Sequence, residues 1–234
     1  MEKLSIVIPI YNEEKTLPLI MDKINSVNLN LKKEIILVDD GSRDGSPELL
    51  KKYKSQGHKV TFMKKNSGKG MAIRRGFESA TGDIILIQDA DLEYDPKDYQ
   101  SLIQPILDGD ADVVYGSRFV TSFPRRVLYF SHYMANNFLT FLSNIMTGLN
   151  LSDMETGYKV FTKKALNEIL PCLKSERFGI EPELTAQISK HNFRVYEVGI
   201  SYKGRTYSEG KKIGWRDGVA AIWHIIKYNL FTKK

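Results

Sequence analysis

The sequence contains little cysteine and no long hydrophobic run. Cys172 is the one cysteine in 234 residues, which excludes an intramolecular disulfide and a cysteine-rich zinc site. The apolar segment 4–10 is too short for the hydrophobic region of a signal peptide and lacks a small-residue cleavage site, so we expect a cytoplasmic protein. With 26% charged and 11% aromatic residues, the chain is neither disordered nor collagen-like, and its length suits one compact domain.

Charge is missing from one internal stretch. Between Arg126 and Asp153 the sequence has no Asp, Glu, Lys or Arg. With helical spacing, its apolar and its uncharged polar residues fall on opposite sides, which predicts an amphipathic helix at 124–147 that is too polar to span a bilayer. A core helix packed on a sheet is the preferred interpretation, and an interfacial helix that contacts lipid is the alternative. The apolar side consists of Val127, Phe130, Met134, Phe138, Phe141, Leu142 and Ile145.

Positive charge is concentrated near the C-terminus. The chain has 34 Lys and Arg against 28 Asp and Glu, a net charge of +6. Residues 200–234 contain eight basic and two acidic residues, so they carry the whole excess and residues 1–199 are neutral. A localised basic segment indicates an anionic partner, such as nucleic acid, a phosphorylated substrate or a membrane surface.

The first half of the sequence alternates apolar runs with amphipathic stretches. Strands are predicted at 4–10, 34–38, 60–63, 83–88 and 111–117, and helices at 13–26, 47–53, 70–80 and 96–107. This βαβα order predicts an α/β fold with a Rossmann-like, mostly parallel sheet and helices on both faces. Right-handed crossovers then place the loops that follow the strands at one edge of the sheet.

Acidic residues cluster where two of these strands end. Asp39 and Asp40 follow the second strand, and Asp89, Asp91 and Glu93 follow the fourth. The carboxyl ends of parallel strands face one crevice, so we expect the two groups to lie close together. An Asp-x-Asp pair can bind Mg²⁺ or Mn²⁺ together with phosphate oxygens, although turn and helix-cap roles also explain such residues. Two acidic strand ends on one edge favour the metal site.

A glycine-rich stretch, NSGKGMA at 66–72, lies between these acidic groups in the sequence. It lacks the spacing of a Walker phosphate loop. Its glycines permit a close backbone approach and Lys69 is suited to an anion, while a simple turn before a helix explains the same residues equally well.

Four short motifs occur in an order that resembles glycosyltransferase family 2, the inverting enzymes with the GT-A fold. They are PIYNE at 9–13, VDDGS at 38–42, NSGKG at 66–70 and DAD at 89–91. The downstream half resembles the polyprenyl-phosphate branch and is similar to dolichol-phosphate mannose synthase. The matching segments there are 116–118, Arg126, 153–161, 178–183 and 202–218. The resemblance covers essentially the whole chain, with residues 1–199 as the GT-A catalytic domain.

On the donor side, the resemblance implies a nucleotide sugar, GDP-mannose or a UDP-hexose. Asp91 is implied as the main metal ligand, with Asp89 and Glu93 beside it. The implied Mg²⁺ or Mn²⁺ bridges the diphosphate and neutralises the leaving group. The implied nucleotide-binding residues are Pro9, Tyr11, Glu13, Asp40 and Lys69, with Asp89 at the diphosphate.

On the acceptor side, the resemblance implies a polyprenyl phosphate, either dolichyl or undecaprenyl. Arg118 and Arg126 match basic residues near the acceptor phosphate, a task that suits guanidinium groups, although for Arg126 a structural ion pair is the alternative. Asp153 matches a proposed base, which ranks below the metal site because an anionic phosphate needs no deprotonation. Three further carboxylates either orient the sugar or cap helices: Glu155, Glu181 and Glu183.

Residues 200–234 resemble a basic loop over the diphosphate followed by an amphipathic helix at 215–231, both within the same domain. The loop residues are Tyr202, Arg205, Lys211 and Lys212. The helix suits an anionic membrane surface or docking on the domain. We therefore expect a peripheral protein at the cytosolic face of a membrane, with or without a membrane subunit, and no nucleic-acid partner.

Two alternatives to this function stay open. One is a family 2 enzyme with a glycan, protein or small-alcohol acceptor, in which Asp153 is an essential base. The other is a non-catalytic module that binds RNA or anionic lipid through its basic end.

Overall fold

The computed structural model describes residues 1–120, 126–127, 129–205 and 215–233. In these ranges the chain forms seven strands and eight α-helices. The strands are β1 (Lys3–Ile10), β2 (Lys32–Asp39), β3 (Lys59–Phe62), β4 (Ile84–Ile87), β5 (Val113–Ser117), β6 (Lys159–Thr162) and β7 (Val195–Gly199). The helices are α1 (Leu17–Ser26), α2 (Ser46–Ser55), α3 (Lys69–Ser79), α4 (Tyr99–Leu107), α5 (Phe130–Thr147), α6 (Lys163–Ile169), α7 (Ile180–Lys190) and α8 (Trp215–Leu230).

The described strands form one sheet in the order β3-β2-β1-β4-β6-β5-β7. Neighbouring strands from β3 to β4 are parallel, as are β5 and β7, whereas β6 runs antiparallel to both β4 and β5. The predicted α/β fold with a mostly parallel sheet is confirmed. Strands β6 and β7 are not among the predicted elements, because each is only four or five residues long and carries a charged residue.

The predicted elements of the first half are present, with ends shifted by a few residues. The largest shift is at α1, where residues 13–16 form a turn because the backbone N–H groups of Thr16 and Leu17 both donate to the Glu13 carbonyl. The predicted helix at 96–107 begins as a short 3₁₀ turn over Pro96–Asp98.

Hydrophobic cores cover both faces of the sheet, which explains why β1, β2 and β4 are almost continuously apolar. Ile6 and Ile8 pack with α1 and α4 on one face, while Val7 lies on the other face with Ile73 and Phe77 of α3. Each such buried side chain contributes about 1.5–3 kcal/mol relative to an exposed one. Two packed faces hold the carboxyl ends of β1, β2 and β4 in fixed register at one edge.

Helix α5 differs from its prediction in its start and in its orientation. It begins at Phe130 rather than at 124, because Tyr129 has an extended backbone (φ −61°, ψ 125°); residues 124, 125 and 128 lie outside the described part of the chain. Thr140 and Ser143 on its polar side are buried, whereas Phe141 on its apolar side is 62% exposed. The preferred core placement is therefore wrong for most of the apolar side, of which Leu142 alone packs against the core, together with Leu139 and Met146 of the same helix. The helix contacts α7 and α8.

The other predicted amphipathic helix, at 215–231, is confirmed as α8. Among the described helices, none combines the length and the hydropathy that a bilayer crossing requires.

Candidate active site

The loops that follow β1 and β2 are joined by hydrogen bonds. Asn12 donates its backbone N–H to Ser42 Oγ (3.0 Å) and accepts from the Arg43 N–H at its side-chain oxygen (2.8 Å). The Glu13 N–H donates to Ser46 Oγ (2.9 Å). This pairing of the first two motifs builds one wall of the sheet edge. The sequence-predicted donor residues on this wall, all partly buried, are Pro9, Tyr11 and Glu13.

Asp40 holds the glycine-rich loop against this wall. Its two carboxylate oxygens accept hydrogen bonds from the backbone N–H groups of Ser67 (2.6 Å) and Gly68 (2.8 Å). Burial raises the pKa of Asp40, an effect that these two hydrogen bonds oppose. Gly68 has φ +101°, and a Cβ there would lie 2.5 Å from the Glu176 carbonyl oxygen, so the loop needs glycine. A contact of Asp40 with a base or ribose stays a prediction.

Lys69, in the same loop, bridges two carboxylates. Its Nζ lies 3.0 Å from Asp89 Oδ1 and 3.0 Å from Glu181 Oε1. Burial alone would lower the pKa of Lys69, but the two carboxylates raise it well above its usual value. Gly157 lies against the same group, and a Cβ there would come within 2.3 Å of Asp89 Oδ2. Lys69 is therefore a charged member of the acidic cluster rather than a residue of a plain turn.

The other two predicted metal ligands, Asp91 and Glu93, both bind the guanidinium group of Arg205. Its Nη2 lies 2.6 Å from Asp91 Oδ2, and its Nε lies 3.0 Å from Glu93 Oε1. The hydroxyl of Tyr202 donates to Glu93 Oε2 (2.8 Å). Arg205 was predicted to lie over a donor diphosphate, and the structure places it on the predicted metal ligands.

The chemistry of this cluster suits a hard divalent cation. Burial raises the pKa of Asp91 to about 7, and the charges of the neighbouring Asp89 and Glu93 contribute to this shift. Carboxylate oxygens are the ligands that Mg²⁺ and Mn²⁺ prefer. Within the described residues, no group of three or more acidic, His or Cys side chains is gathered into a metal-binding arrangement. Asp89 pairs with Lys69, and Asp91 pairs with Arg205. The assignment of Asp89, Asp91 and Glu93 as ligands stays a prediction.

Arg118 and Asp153 form a bidentate pair beside this cluster. Arg118 Nε and Nη2 lie 2.6 Å from Asp153 Oδ2 and Oδ1, and the Arg118 backbone N–H also donates to Oδ2 (3.0 Å). Asn136 of α5 accepts from Arg118 Nη2 at 2.8 Å. Asp153 is fully buried, and its oxygens are occupied in holding Arg118. These contacts are those of a positioning residue, while the role of Asp153 as a base stays untested.

Residues 202–205, which we call the strap, connect the predicted donor and acceptor residues. The Arg118 guanidinium lies 5.3 Å from the centre of the Tyr202 ring, and the Tyr202 hydroxyl binds Glu93. Arg126 Nη1 donates to the Gly204 carbonyl oxygen (3.1 Å). The structure thus gathers Asp91, Glu93, Arg118 and Arg126 around one short segment, which their separation in the sequence does not reveal.

Three further carboxylates separate into different environments. Glu183 accepts from the backbone N–H groups of Lys174 (2.8 Å) and Ser175 (2.7 Å), so it stabilises a loop. Glu181 binds Lys69, as described above. Glu155 has a buried Oε1 without a hydrogen-bond partner among the described residues, and burial followed by the charge of Glu181 raises its pKa to about 7.

Lys159 lies in the segment 153–161 that carries the resemblance, but no role was predicted for it from the sequence. Its side chain is almost fully buried, its Nζ donates to the carbonyl oxygens of Met154 (3.0 Å) and Thr156 (2.5 Å), and it lies 4.9 Å from the Tyr115 ring centre. Burial lowers the pKa of Lys159 to about 8. The available signal was a lone lysine at the start of a short apolar strand, where a charge requires buried partners.

Two of the predicted loop residues, Lys211 and Lys212, lie outside the described residues. Their proposed contact with a diphosphate therefore stays a prediction from the sequence.

Comparison with known proteins places this edge of the sheet in context. The family described as "Glycosyl transferase family 2" matches residues 5–170. A dolichyl-phosphate beta-glucosyltransferase of Dictyostelium discoideum is 30% identical over 238 residues, covering 90% of this chain and 68% of that protein. An undecaprenyl-phosphate 4-deoxy-4-formamido-L-arabinose transferase of Aeromonas hydrophila is 30% identical over 212 residues, covering 88% of this chain and 62% of that protein.

A solved structure supports the fold. Glucosyl-3-phosphoglycerate synthase from Mycobacterium tuberculosis, in complex with Mn²⁺, uridine diphosphate and phosphoglyceric acid, superposes with a TM-score of 0.74. The match covers 100% of this chain and 80% of that chain at 18% identity. Similarity at this identity establishes the GT-A architecture and carries no statement about substrate.

Proposed function

The chain belongs to glycosyl transferase family 2 and is a glycosyltransferase, and we propose that it transfers a hexose from a nucleotide sugar to a polyprenyl phosphate with inversion at the sugar carbon. The two named relatives act, by their names, on dolichyl and undecaprenyl phosphate. The chain spans 68% and 62% of their lengths, so the activity of the whole relative is carried over only as part of this proposal.

One observation carries the choice of a lipid phosphate as acceptor. Asn136, on the inward polar side of α5, binds Arg118, while Phe138 and Phe141 on the outward side of the same helix are more than half exposed. Arg118, the proposed phosphate-binding residue, and a surface that suits a hydrocarbon chain therefore lie on opposite sides of one helix. A phosphate attached to a polyprenyl chain needs both.

The donor would be bound at the acidic ends of β2 and β4. Asp91, with Asp89 and Glu93, would hold a divalent cation, which supplies positive charge for the diphosphate as it leaves. The joined loops after β1 and β2 provide the wall for the nucleotide, and Asp40 keeps the glycine-rich loop in place. Glu181 and Asp89 orient Lys69, so that its ammonium group lies within the cluster.

In the proposed reaction, an acceptor phosphate oxygen attacks the anomeric carbon, and the bond from that carbon to the diphosphate oxygen breaks. The acceptor oxygen is already anionic near neutral pH, so no general base is required. Among the described contacts, Asp153 and Asn136 use Nε and Nη2 of Arg118, which leaves Nη1 to meet the phosphate. Arg126 is the second candidate for this contact.

A peripheral position at the cytosolic face of a membrane is part of the proposal. Helix α8 packs against α5 and also exposes large apolar side chains. Val219 is 59% and Trp223 is 56% exposed, and Lys227 lies on the same helix. Exposed apolar faces with nearby basic residues are typical of helices that lie in a membrane interface.

Arg118→Gln tests the acceptor assignment. We expect transfer to undecaprenyl phosphate to fall by about 100-fold or more, because the charge-assisted contact of the guanidinium with the phosphate is lost, while nucleoside-diphosphate binding with Mn²⁺ changes little. Arg75→Gln is the matched control, since exposed Arg75 pairs with Glu78 of its own helix. Full transfer by the Arg118 variant would show that the acceptor binds elsewhere.

A further inference from the structure

The strap is fastened along the acidic segment that follows β4. Tyr202 and Tyr94 form an isolated antiparallel bridge, and the Lys203 N–H donates to the Glu93 carbonyl oxygen (2.9 Å). The Arg205 N–H donates to Glu93 Oε1 (3.1 Å). The backbone of the strap therefore holds the Arg205 side chain at the carboxylates of this segment.

The Arg205 guanidinium spans two of the predicted cation ligands. Its Nη2 binds Asp91 Oδ2 at 2.6 Å and its Nε binds Glu93 Oε1 at 3.0 Å, with about a quarter of the arginine side chain exposed. A cation that binds these same two oxygens has to displace the guanidinium. Asp89 is held separately by Lys69, so the competition at Asp91 and Glu93 depends on Arg205.

We propose that Arg205 is a built-in competitor of the divalent cation, which neutralises Asp91 and Glu93 until the cation displaces it. The inference rests on the proposed function for the identity of the cation site, and it is independent of which acceptor is used. Arg205 is thus a regulator of cation binding as well as a candidate contact for the donor.

Electrostatics explains why the carboxylate cluster requires such a partner whenever no cation is bound. Three carboxylates in a partly buried place repel one another, and an opposite charge within about 4 Å is the usual relief. The planar guanidinium can bind two carboxylates at once, which a lysine ammonium does less well. Because the fraction of chains with free ligands sets the apparent affinity, a resident guanidinium weakens cation binding until it is displaced.

The decisive measurement is the dissociation constant of Mn²⁺ alone, by calorimetry on the full chain without nucleotide or lipid. We expect Arg205→Gln to bind Mn²⁺ about tenfold more tightly than the wild type. Arg205→Lys should lie between the two. Lys203→Gln is the matched control: it removes the same charge from the same strap, its side chain is exposed, and its described contact is made by the backbone, so we expect a change below about twofold.

A second measurement uses the wild-type chain and does not depend on the variant folding. The ¹⁵N–¹H signal of the Arg205 Nε–H group should shift when diamagnetic Mg²⁺ saturates the site, because its carboxylate partner is lost. The inference is overturned if the Arg205 signal stays unchanged at saturation, if Arg205→Gln binds Mn²⁺ no more tightly than the wild type, or if both glutamine variants tighten binding equally. Absence of transfer to polyprenyl phosphate, with tighter Mn²⁺ binding by Arg205→Gln, would refute the proposed function alone.

Discussion

Helices α3 and α5 both pack within the same domain, yet they place their phenylalanine side chains differently. Helix α3 buries Ile73 and Phe77 against the sheet. Helix α5 buries Leu139, Thr140 and Ser143, whereas its Phe138 and Phe141 are more than half exposed. Amphipathicity thus shows that a helix has two sides, and the partners of each side decide which one turns inward. An apolar side that faces outward indicates a partner beyond the chain itself.

The largest expected effect concerns the donor side of the candidate site, where α3 begins at Lys69. Asp91→Asn should reduce transfer by about 1,000-fold or more, because it removes a charged ligand from the proposed cation site. The measurement is single-turnover transfer at saturating Mg²⁺. Asp112→Asn is the control, since this partly exposed carboxylate pairs with Arg194 at the far edge of the sheet and should leave transfer unchanged. A fully active Asp91 variant would remove the cation assignment.

The next prediction separates a base from a positioning residue. If Asp153 holds Arg118, Asp153→Asn should mainly raise the KM for the lipid phosphate, with a loss in kcat/KM of about 10- to 100-fold. If Asp153 were a base, kcat would collapse and its dependence on pH would lose one ionisation. Steady-state kinetics across pH with the same variant distinguishes the two roles.

A pair of phenylalanine substitutions tests the difference between α3 and α5 directly. Phe77→Ala should cost about 3–5 kcal/mol of unfolding free energy, because it leaves a cavity in a packed core. Phe141→Ala should cost less than about 1 kcal/mol, because the side chain is 62% exposed, yet it should weaken sedimentation with anionic vesicles. Equal losses of stability in denaturant melts would mean that α5 is packed like α3.

The smallest expected effect concerns the unpartnered carboxylate. Glu155 has its pKa raised from 4.5 to about 7, so between these pH values the folded chain retains a proton that the unfolded chain has released. Stability should therefore fall as pH rises through this window. Relative to the wild type, Glu155→Gln should gain about 1–3 kcal/mol from pH 4.5 to pH 7.5. A constant difference across that range would show that the Glu155 pKa is not raised.

The strands and helices of the first half were predicted well because burial and spacing act locally there. Continuous apolar strands allow few arrangements, and parallel strands bring Asp40 and Asp91 to one edge. The contact of Arg205 with Asp91 joins residues 114 positions apart, and that of Asp153 with Arg118 joins residues 35 positions apart, so no local pattern encodes them. Lys159 and the orientation of α5 depended on partners that only the folded chain reveals.

A transfer assay with lipid vesicles tests most directly the central claim, that the acceptor is a polyprenyl phosphate. Wild-type chain would be incubated with Mn²⁺, a panel of labelled nucleotide sugars, and vesicles that contain undecaprenyl phosphate, alongside soluble glycan and alcohol acceptors. We expect label on the lipid phosphate from at least one donor, little on the soluble acceptors, and a marked loss with Phe141→Glu on α5. Transfer to a soluble acceptor, with no transfer to the lipid from any donor, would contradict the proposal.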